Sequence, residues 1–396
     1  MSGRGPVTAL RRFGTDVDLP LAQGPYQSPL RDERVAAWLG ASLGVLFSIC
    51  FLTGLYSHIH QHPLSWLHVP ARPAGLFRIT QGLHVACGIA SMPVLAAKLW
   101  VVWPRFVAWP PVKSVGHLVE RIGLLPLVAG GIFMVFSGIA NIAQWYPWRF
   151  AFPAAHYWVA WVVMGALLAH VGAKWAITRR ALARQHSAPP TVVEAAPDGL
   201  TRRGFLMTVG AGAGALTVFT VGQTFEPLRR LALLAPRDPT VGPQGHPVNR
   251  SAANAGVIAD ATADGYRLTV EGKVRQPLTF TMAELLALPA YEATLPIACV
   301  EGWSYSARWR GVRVRDLMAM AGAAPGATAK VESLERSSPY RVGPMDHAQA
   351  HDPDTLLATH LDGQPLALDH GFPVRLIGPG RPGVLQTKWV TRLVVT

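Results

Sequence analysis

Apolar residues arrive in two different rhythms along this 396-residue chain. Up to about residue 225 they come in long, nearly unbroken runs, and from about Val241 onward in short alternating ones. Five long runs approach the roughly 20 residues a helix needs to cross a bilayer. They are Val35 to Ser57, Leu76 to Val102, Ile122 to Ile142, His156 to Ile177 and the weaker Gly204 to Phe225. In the second half, Tyr266-Arg-Leu-Thr-Val-Glu271 alternates as a half-buried strand does, while Met282 to Leu288 and Val314 to Ala321 are predicted short helices. The expected fold class is a membrane all-α helical bundle, four helices plus one anchor helix, followed by an α+β, mostly β, domain. The patterns divide the chain into a cytoplasmic N-terminal tail (1–34), a four-helix unit (35–180), a cytoplasmic linker (181–203), an anchor helix (204–226) and a C-terminal domain (240–396).

Composition agrees with a membrane protein: half the residues are hydrophobic and 15% are charged. The net charge of +13 is dispersed beside the apolar runs and forms no single stripe, which argues against nucleic acid as a partner. One set of connections holds Arg4, Arg11, Arg12, Arg31, Arg34, Arg105, Lys113, Arg121, Lys174, Arg179, Arg180, Arg184, Arg202 and Arg203, and the opposite set only Arg72, Arg78 and Arg149. Positive charge stays on the cytoplasmic side. A multi-pass protein of the inner (cytoplasmic) membrane is expected, with a cytoplasmic N-terminus, membrane lipid around its helices and a periplasmic C-terminal domain. Trp66, Trp145, Tyr146, Trp148 and Tyr157 cluster at the outer boundary as an aromatic belt would. Thr201-Arg-Arg-Gly-Phe-Leu206 looks like a twin-arginine export signal, or else is a positive-inside flank; no small-x-small cleavage site follows, so a retained anchor is expected.

Candidate chemistry rests on histidines and one cysteine. Eight of the 14 histidines lie between residues 58 and 170, several inside apolar helices where an imidazole is a functional candidate. His156 and His170 are 14 residues apart, which leaves them about 40° from a common face and about 21 Å apart along one helix. Their depths pair His84 with His156 and His117 with His170, as axial ligands of stacked haems or as interhelical hydrogen-bonding groups. His58, His60, His62 and His68 are expected in a solvated outer loop, and His347, His351 and His360 at the surface. Cys50 and Cys87 lie in apolar runs and read as buried fillers, whereas Cys299 is a lone thiol in an exported domain, either core filler or a coordinating thiolate.

Residues 35–180 resemble the haem b membrane subunits of formate dehydrogenases and hydrogenases, in which the fourth helix carries two histidines at this spacing and a partner helix carries one where His84 stands. The first helix has no early histidine, so the resemblance implies one haem b or two. In the C-terminal part three segments occur in order: Cys299-Val-Glu-Gly-Trp-Ser304 with Trp309-Arg-Gly311; Leu356-Leu-Ala358 through Asp362-Gly-Gln-Pro-Leu366; and His370-Gly-Phe-Pro-Val-Arg375 leading to Pro379-Gly380 and Lys388-Trp389. Together they resemble the molybdopterin-binding domain of the sulfite oxidase family over residues 245–396.

That resemblance implies that Cys299, a soft thiolate, ligates molybdenum, and that Arg375 and Lys388, with His370 and the Thr387 hydroxyl, hold the phosphate of molybdopterin. Asn249 and Arg250 are implied as further cofactor contacts, Gly378, Gly380 and Gly383 as points of close backbone approach, and Tyr340 and Arg341 as the mouth for substrate. Trp303 and Ser304 stand where sulfite oxidases place an arginine, which brings the motif closer to the periplasmic methionine sulfoxide reductase branch. The implied function is an oxidoreductase exchanging an oxygen atom with a small-molecule or protein-bound donor or acceptor, coupled through haem b to the quinone/quinol pool. The alternatives are a sulfite-type oxidase running in the opposite direction, or a non-catalytic haem conduit with a docking domain.

Overall fold

The computed structural model describes residues 28, 30–64, 66–67, 69–106, 112, 114–183, 200–238 and 240–396. Most of the expected tail and linker, with His68 and Lys113, lies outside the described residues. Five helices follow the long apolar runs: α1 (Glu33–Gln61), α2 (Leu76–Phe106), α3 (Val115–Ile142), α4 (Phe152–Ala183) and α5 (Arg202–Val221). All five are long and apolar enough to cross a membrane. Local chemistry sets their starts. The Asp32 carboxylate accepts from the Val35 amide (2.7 Å) ahead of α1, and the Thr201 hydroxyl accepts from the Gly204 amide (3.0 Å) ahead of α5. The fifth run stops at Val221, short of the expected Phe225, and passes into short 3-10 turns at Gly222–Thr224 and Glu226–Leu231, where Gly222 and Pro227 disfavour further α-helix.

Two of the outer-loop histidines are helical, a correction to the expectation from sequence. No glycine or proline follows Tyr56 until Pro63, so α1 runs on through His58 and His60. His60 is buried between Tyr56 and Phe77, and His58 stacks on Tyr157 with ring centroids 3.7 Å apart.

Contacts divide the chain into two compact units. The first gathers Met1–Val45, Ser91–Met134 and Trp158–Ala213. Within it Arg202, of the twin-arginine pair, forms an ion pair with Asp32 (2.8 Å), and Lys98 Nζ donates to the Ala36 carbonyl (2.7 Å). The second joins Leu46–Ala90 and Val135–Tyr157 to the whole C-terminal domain from Gly214 to Thr396.

The C-terminal domain contains two five-stranded sheets. The first has the order β2 (Leu278–Thr281), β1 (Arg267–Gly272), β10 (Val390–Val395), β5 (Ala329–Ser333) and β6 (Val342–Met345); β1 and β10 are parallel and the other neighbours antiparallel. The second runs β3 (Tyr291–Ala298), β4 (Ser304–Arg313), β7 (Leu356–Leu361) and β8 (Gln364–Pro365), with β9 (Arg375–Ile377) also paired to β7. Short helices α6 (Ala252–Ala255), α7 (Ile258–Ala261), α8 (Met282–Ala287), α9 (Val314–Met320) and α10 (His347–His351) fill the connections. Strand alternation sorts the faces: on β4, Tyr305, Ala307 and Trp309 point inward while Ser306, Arg308 and Arg310 are exposed. One core holds Leu268, Val270, Leu317, Val331, Leu376 and Leu393; a second, around Trp309, Leu356 and Ile377, takes in Cys299, Trp303 and Tyr305.

Within the second unit the helix ends are tied to this domain. Arg72, before α2, makes a two-pronged pair with Asp352 (2.9 Å for each bond) and reaches Asp354 (2.5 Å). Arg78 donates to the Ser306 hydroxyl (3.1 Å), and the Gly380 amide to the Ala74 carbonyl (3.2 Å). A Cβ on Gly380 would stand 2.6 Å from the Ala71 carbonyl oxygen, so its open surface serves that connection; of the three glycines expected at the cofactor, only Gly383 lines the cavity described next.

Candidate active site

Cys299 sits in a tight turn between β3 and β4. Its amide donates to the Trp303 carbonyl (2.9 Å), the Gly302 amide donates back to the Cys299 carbonyl (3.1 Å), and Gly302 has φ +92°, a left-handed conformation that favours glycine. The turn aims the thiol into a cavity lined by Pro247, Val248, Asn249, Ile297, Cys299, Trp303, Tyr305, His370, Arg375, Gly383 and Lys388. Among the described residues, no acidic one lines it. Burial, with the Glu301 carboxylate adding to it, pushes the thiol well above its usual range. A bound cation reverses that preference, because a coordinating thiol is held as the thiolate.

The cavity is built for negative charge. Arg375, on β9, is buried, and burial pulls its guanidinium below the ordinary arginine range. Its Nη1 donates to the His370 carbonyl (3.2 Å), and its buried Nε has no hydrogen-bond partner among the described residues. Lys388 donates to the Arg250 and Asp369 carbonyls, and its amine is pulled down to about 7, by burial first and by neighbouring Arg375 next. His370 donates from Nε2 to the Pro243 carbonyl (2.7 Å) and falls to about 4, from burial and then from Arg375. Because that carbonyl can only accept, the Nδ1 of His370 carries the lone pair. Two buried cations without a carboxylate between them are costly unless an anion arrives. Gly371, at φ +110°, lets them converge: a Cβ there would lie 3.1 Å from the Lys388 side chain and 3.2 Å from Arg375.

Sequence reasoning therefore has Asn249, Cys299, His370, Arg375 and Lys388 brought together in one cavity. Arg250 contributes its carbonyl to Lys388 and its side chain to an ion pair with buried Glu335, outside the lining. Thr387 is also outside: its hydroxyl packs over Gly343 of β6, in the irregular segment that leads into β10. Tyr340 and Arg341 occupy the turn between β5 and β6, and neither lines the cavity. Sequence reasoning missed Tyr305 and His246, which stack at 4.3 Å, with His246 also pairing to Asp362 (2.8 Å). Tyr305 was legible as the next inward position after the Cys299 motif; His246 had no local signal.

A second candidate site lies among the helices. His84 of α2 and His156 of α4 face each other with ring centroids 6.3 Å apart and planes at 64°. A metal bonded at about 2 Å to one nitrogen of each ring needs centroids roughly 6 Å apart. His84 Nδ1 donates to the Cys50 carbonyl (2.9 Å), which fixes the lone pair on Nε2, and His156 Nδ1 is hydrogen-bonded to the Ser137 hydroxyl (3.0 Å). Gly54 gives His84 room, since a Cβ there would stand 3.0 Å from its ring. His170 lies farther along α4, and His117 lies in the first turn of α3 with its side chain outside the described residues.

Residues 255–396 match the family model of the oxidoreductase molybdopterin binding domain. The C-terminal domain is an oxidoreductase molybdopterin binding domain. Among curated relatives, the mitochondrial sulfite oxidase of Drosophila melanogaster is 34% identical over 158 residues, 33% of this chain and 27% of that protein. A putative protein-methionine-sulfoxide reductase subunit, YedZ1, of Azospira oryzae is 33% identical over 139 residues, 35% of this chain and 52% of that protein. The chain thus spans between about a quarter and about half of these two relatives. Among solved structures, the sulfane dehydrogenase SoxCD of Paracoccus pantotrophus aligns at 27% identity with a TM-score of 0.32, over 39% of this chain and 43% of that one. The cavity fits the cofactor this domain type binds: a thiol for the metal, an unpartnered Arg375 Nε and a buried Lys388 for a phosphate, and glycine backbone at Gly383.

Proposed function

We propose that this chain is a membrane-bound oxidoreductase in which a molybdenum cofactor held by Cys299, Arg375, Lys388, His370 and Asn249 exchanges an oxygen atom with a sulfoxide-type substrate. Haem b bound by His84 and His156 carries electrons between that site and the quinone pool. The observation that carries the reading is the anion-seeking cavity with a buried thiol, in the same compact unit as a facing pair of histidines. When bound, molybdenum supplies two-electron oxygen-atom chemistry. The chain's own part is to hold it: Cys299 offers the soft ligand, Arg375 and Lys388 offset the phosphate charge, and Trp303 and Tyr305 exclude water from the thiol.

The similarity to a protein-methionine-sulfoxide reductase subunit, together with Trp303 and Ser304 after the cysteine, favours sulfoxide reduction. Sulfite oxidation is the second reading, favoured by the sulfite oxidase relatives. In this reading the five apolar helices span the inner membrane, the N-terminus is cytoplasmic and the catalytic domain periplasmic. A second haem, at His170 and His117, belongs to the same reading. Metal analysis and a dithionite-reduced visible spectrum of detergent-purified protein test it. Molybdenum near one per chain with a haem b spectrum that His84→Ala abolishes is the expected result, and haem without molybdenum from a cofactor-competent host overturns it.

A further inference from the structure

Two features of the Cys299 turn point away from the cavity. A Cβ on Gly302 would stand 3.0 Å from Val85 Cγ1, so the turn's backbone lies against the residue that follows His84 on α2. Glu301, buried, accepts from three donors on three separate segments: Trp303 Nε1 (2.8 Å), Gln144 Nε2 (2.5 Å) and Arg237 Nε (3.3 Å). Gln144 also accepts from Arg237 Nη2 (3.0 Å), which closes the set. Gln144 follows α3 and Arg237 follows α5, and neither lines the cavity. A buried carboxylate needs its partners, and two of these come from segments distant in sequence from the turn.

We propose that the Cys299 turn is an intramolecular electron-transfer junction, seated by Gly302 on Val85 beside His84 and held there by the Gln144–Glu301–Arg237 set. The proposal rests on the functional reading above and adds to it the contact through which electrons pass. In the reductive direction a quinol gives two electrons and two protons and becomes quinone. The electrons cross the junction singly, and the sulfoxide takes both with two protons to become a thioether and water. Sulfite oxidation sends the same two electrons the other way, sulfite and water giving sulfate and two protons. Gln144 and Arg237 are positioning residues: they hold the turn while Cys299 holds the metal.

Gln144 has φ +53°, so Gln144→Gly removes the side chain without adding backbone strain. The test uses the full-length, cofactor-loaded protein in detergent. Haem is reduced with a soluble naphthoquinol and mixed with methionine sulfoxide, and its reoxidation is followed by stopped flow. Sulfoxide reduction driven directly by reduced viologen is measured beside it, with amide hydrogen exchange of residues 299–304. Expected in Gln144→Gly combined with Arg237→Ala are haem reoxidation slowed about tenfold, as an ångström-scale displacement can cause, an unchanged viologen-driven rate, and faster exchange. Arg237→Lys alone keeps most of the wild-type rate. Unchanged haem reoxidation, or equal loss of both rates, overturns the junction. Wild-type protein that lacks haem or molybdenum overturns the functional reading instead, and unchanged exchange in the double variant then overturns the clamp by itself.

Discussion

The helical region and the C-terminal domain are packed in opposite senses. Among the helices, Leu52 and Leu168 are more than 60% exposed while Ser91 and Ser137 are fully buried. In the sheet domain Trp309, Leu357 and Leu393 are fully buried while Arg308 and Arg310 face outward. One chain thus obeys two solvents. Apolar side chains turned outward suit hydrocarbon, where helices associate through small and polar residues; apolar side chains turned inward suit water. The two candidate sites differ in the same way. The helical site is a pair of facing imidazole rings, each with a hydrogen bond behind it, whereas the sheet site gathers a buried guanidinium and a buried amine.

The sharpest way to break this comparison is at the thiol. On the proposed function, Cys299→Ser is expected to lower oxygen-atom transfer by more than the roughly 10- to 100-fold typical of losing a residue behind a metal ligand, while the proposed haem's spectrum stays intact. Steady-state assay beside the visible spectrum checks it, and loss of both signals together would remove the distinction between the sites.

Packing is tested by a matched pair of substitutions. Trp309→Ala removes a fully buried ring and is expected to cost about 3–5 kcal/mol of stability. Leu168→Arg, at an outward position midway along α4, is expected to cost about 2.5–3.5 kcal/mol, but in membrane insertion. Thermal melting in detergent reads the first and a glycosylation-tagged insertion assay the second. An arginine tolerated at Leu168 would argue against a lipid-facing surface there.

Acid sensitivity sharpens the contrast between the two sites. The folded-state value of His370 is lowered to about 4, below its unfolded value, so its contribution is present above about pH 6.5 and is lost as pH falls through about 4. The apo protein should lose about 3 kcal/mol over that window from this group, and His370→Gln should flatten the dependence, as melting temperature against pH would record. The smallest effect is expected from Arg375→Met. The apo protein should gain about 1–2 kcal/mol by losing an uncompensated buried cation, while cofactor content falls. If stability and cofactor content fall together, the cation has a structural role that the cavity geometry does not reveal.

Much of the architecture was legible along the chain because its signals are local. The periodicities of α1 to α5 and of β1, and the lone thiol of Cys299, are read within windows of a few to some 20 residues. So is the domain's chemistry, since the motifs around Cys299, His370, Arg375 and Lys388 recur in order. Reading failed where a residue's direction depends on a distant partner. Thr387 stood beside Lys388 in sequence and packed over Gly343 outside the cavity, and Gly380 met the Ala71 carbonyl where a cofactor was expected. His60, expected in a loop, is buried against Phe77 of another helix.

By itself, the sequence determined two regions suited to two solvents and placed a thiol in the one suited to water, because hydrophobic periodicity and residue chemistry are properties of short stretches. Tertiary structure alone decided that His84 faces His156, that Arg375 and Lys388 converge without a carboxylate between them, and that Gln144 and Arg237 meet at Glu301. Those pairings join residues up to 157 positions apart, and such contacts are set by how elements pack, which no local pattern encodes.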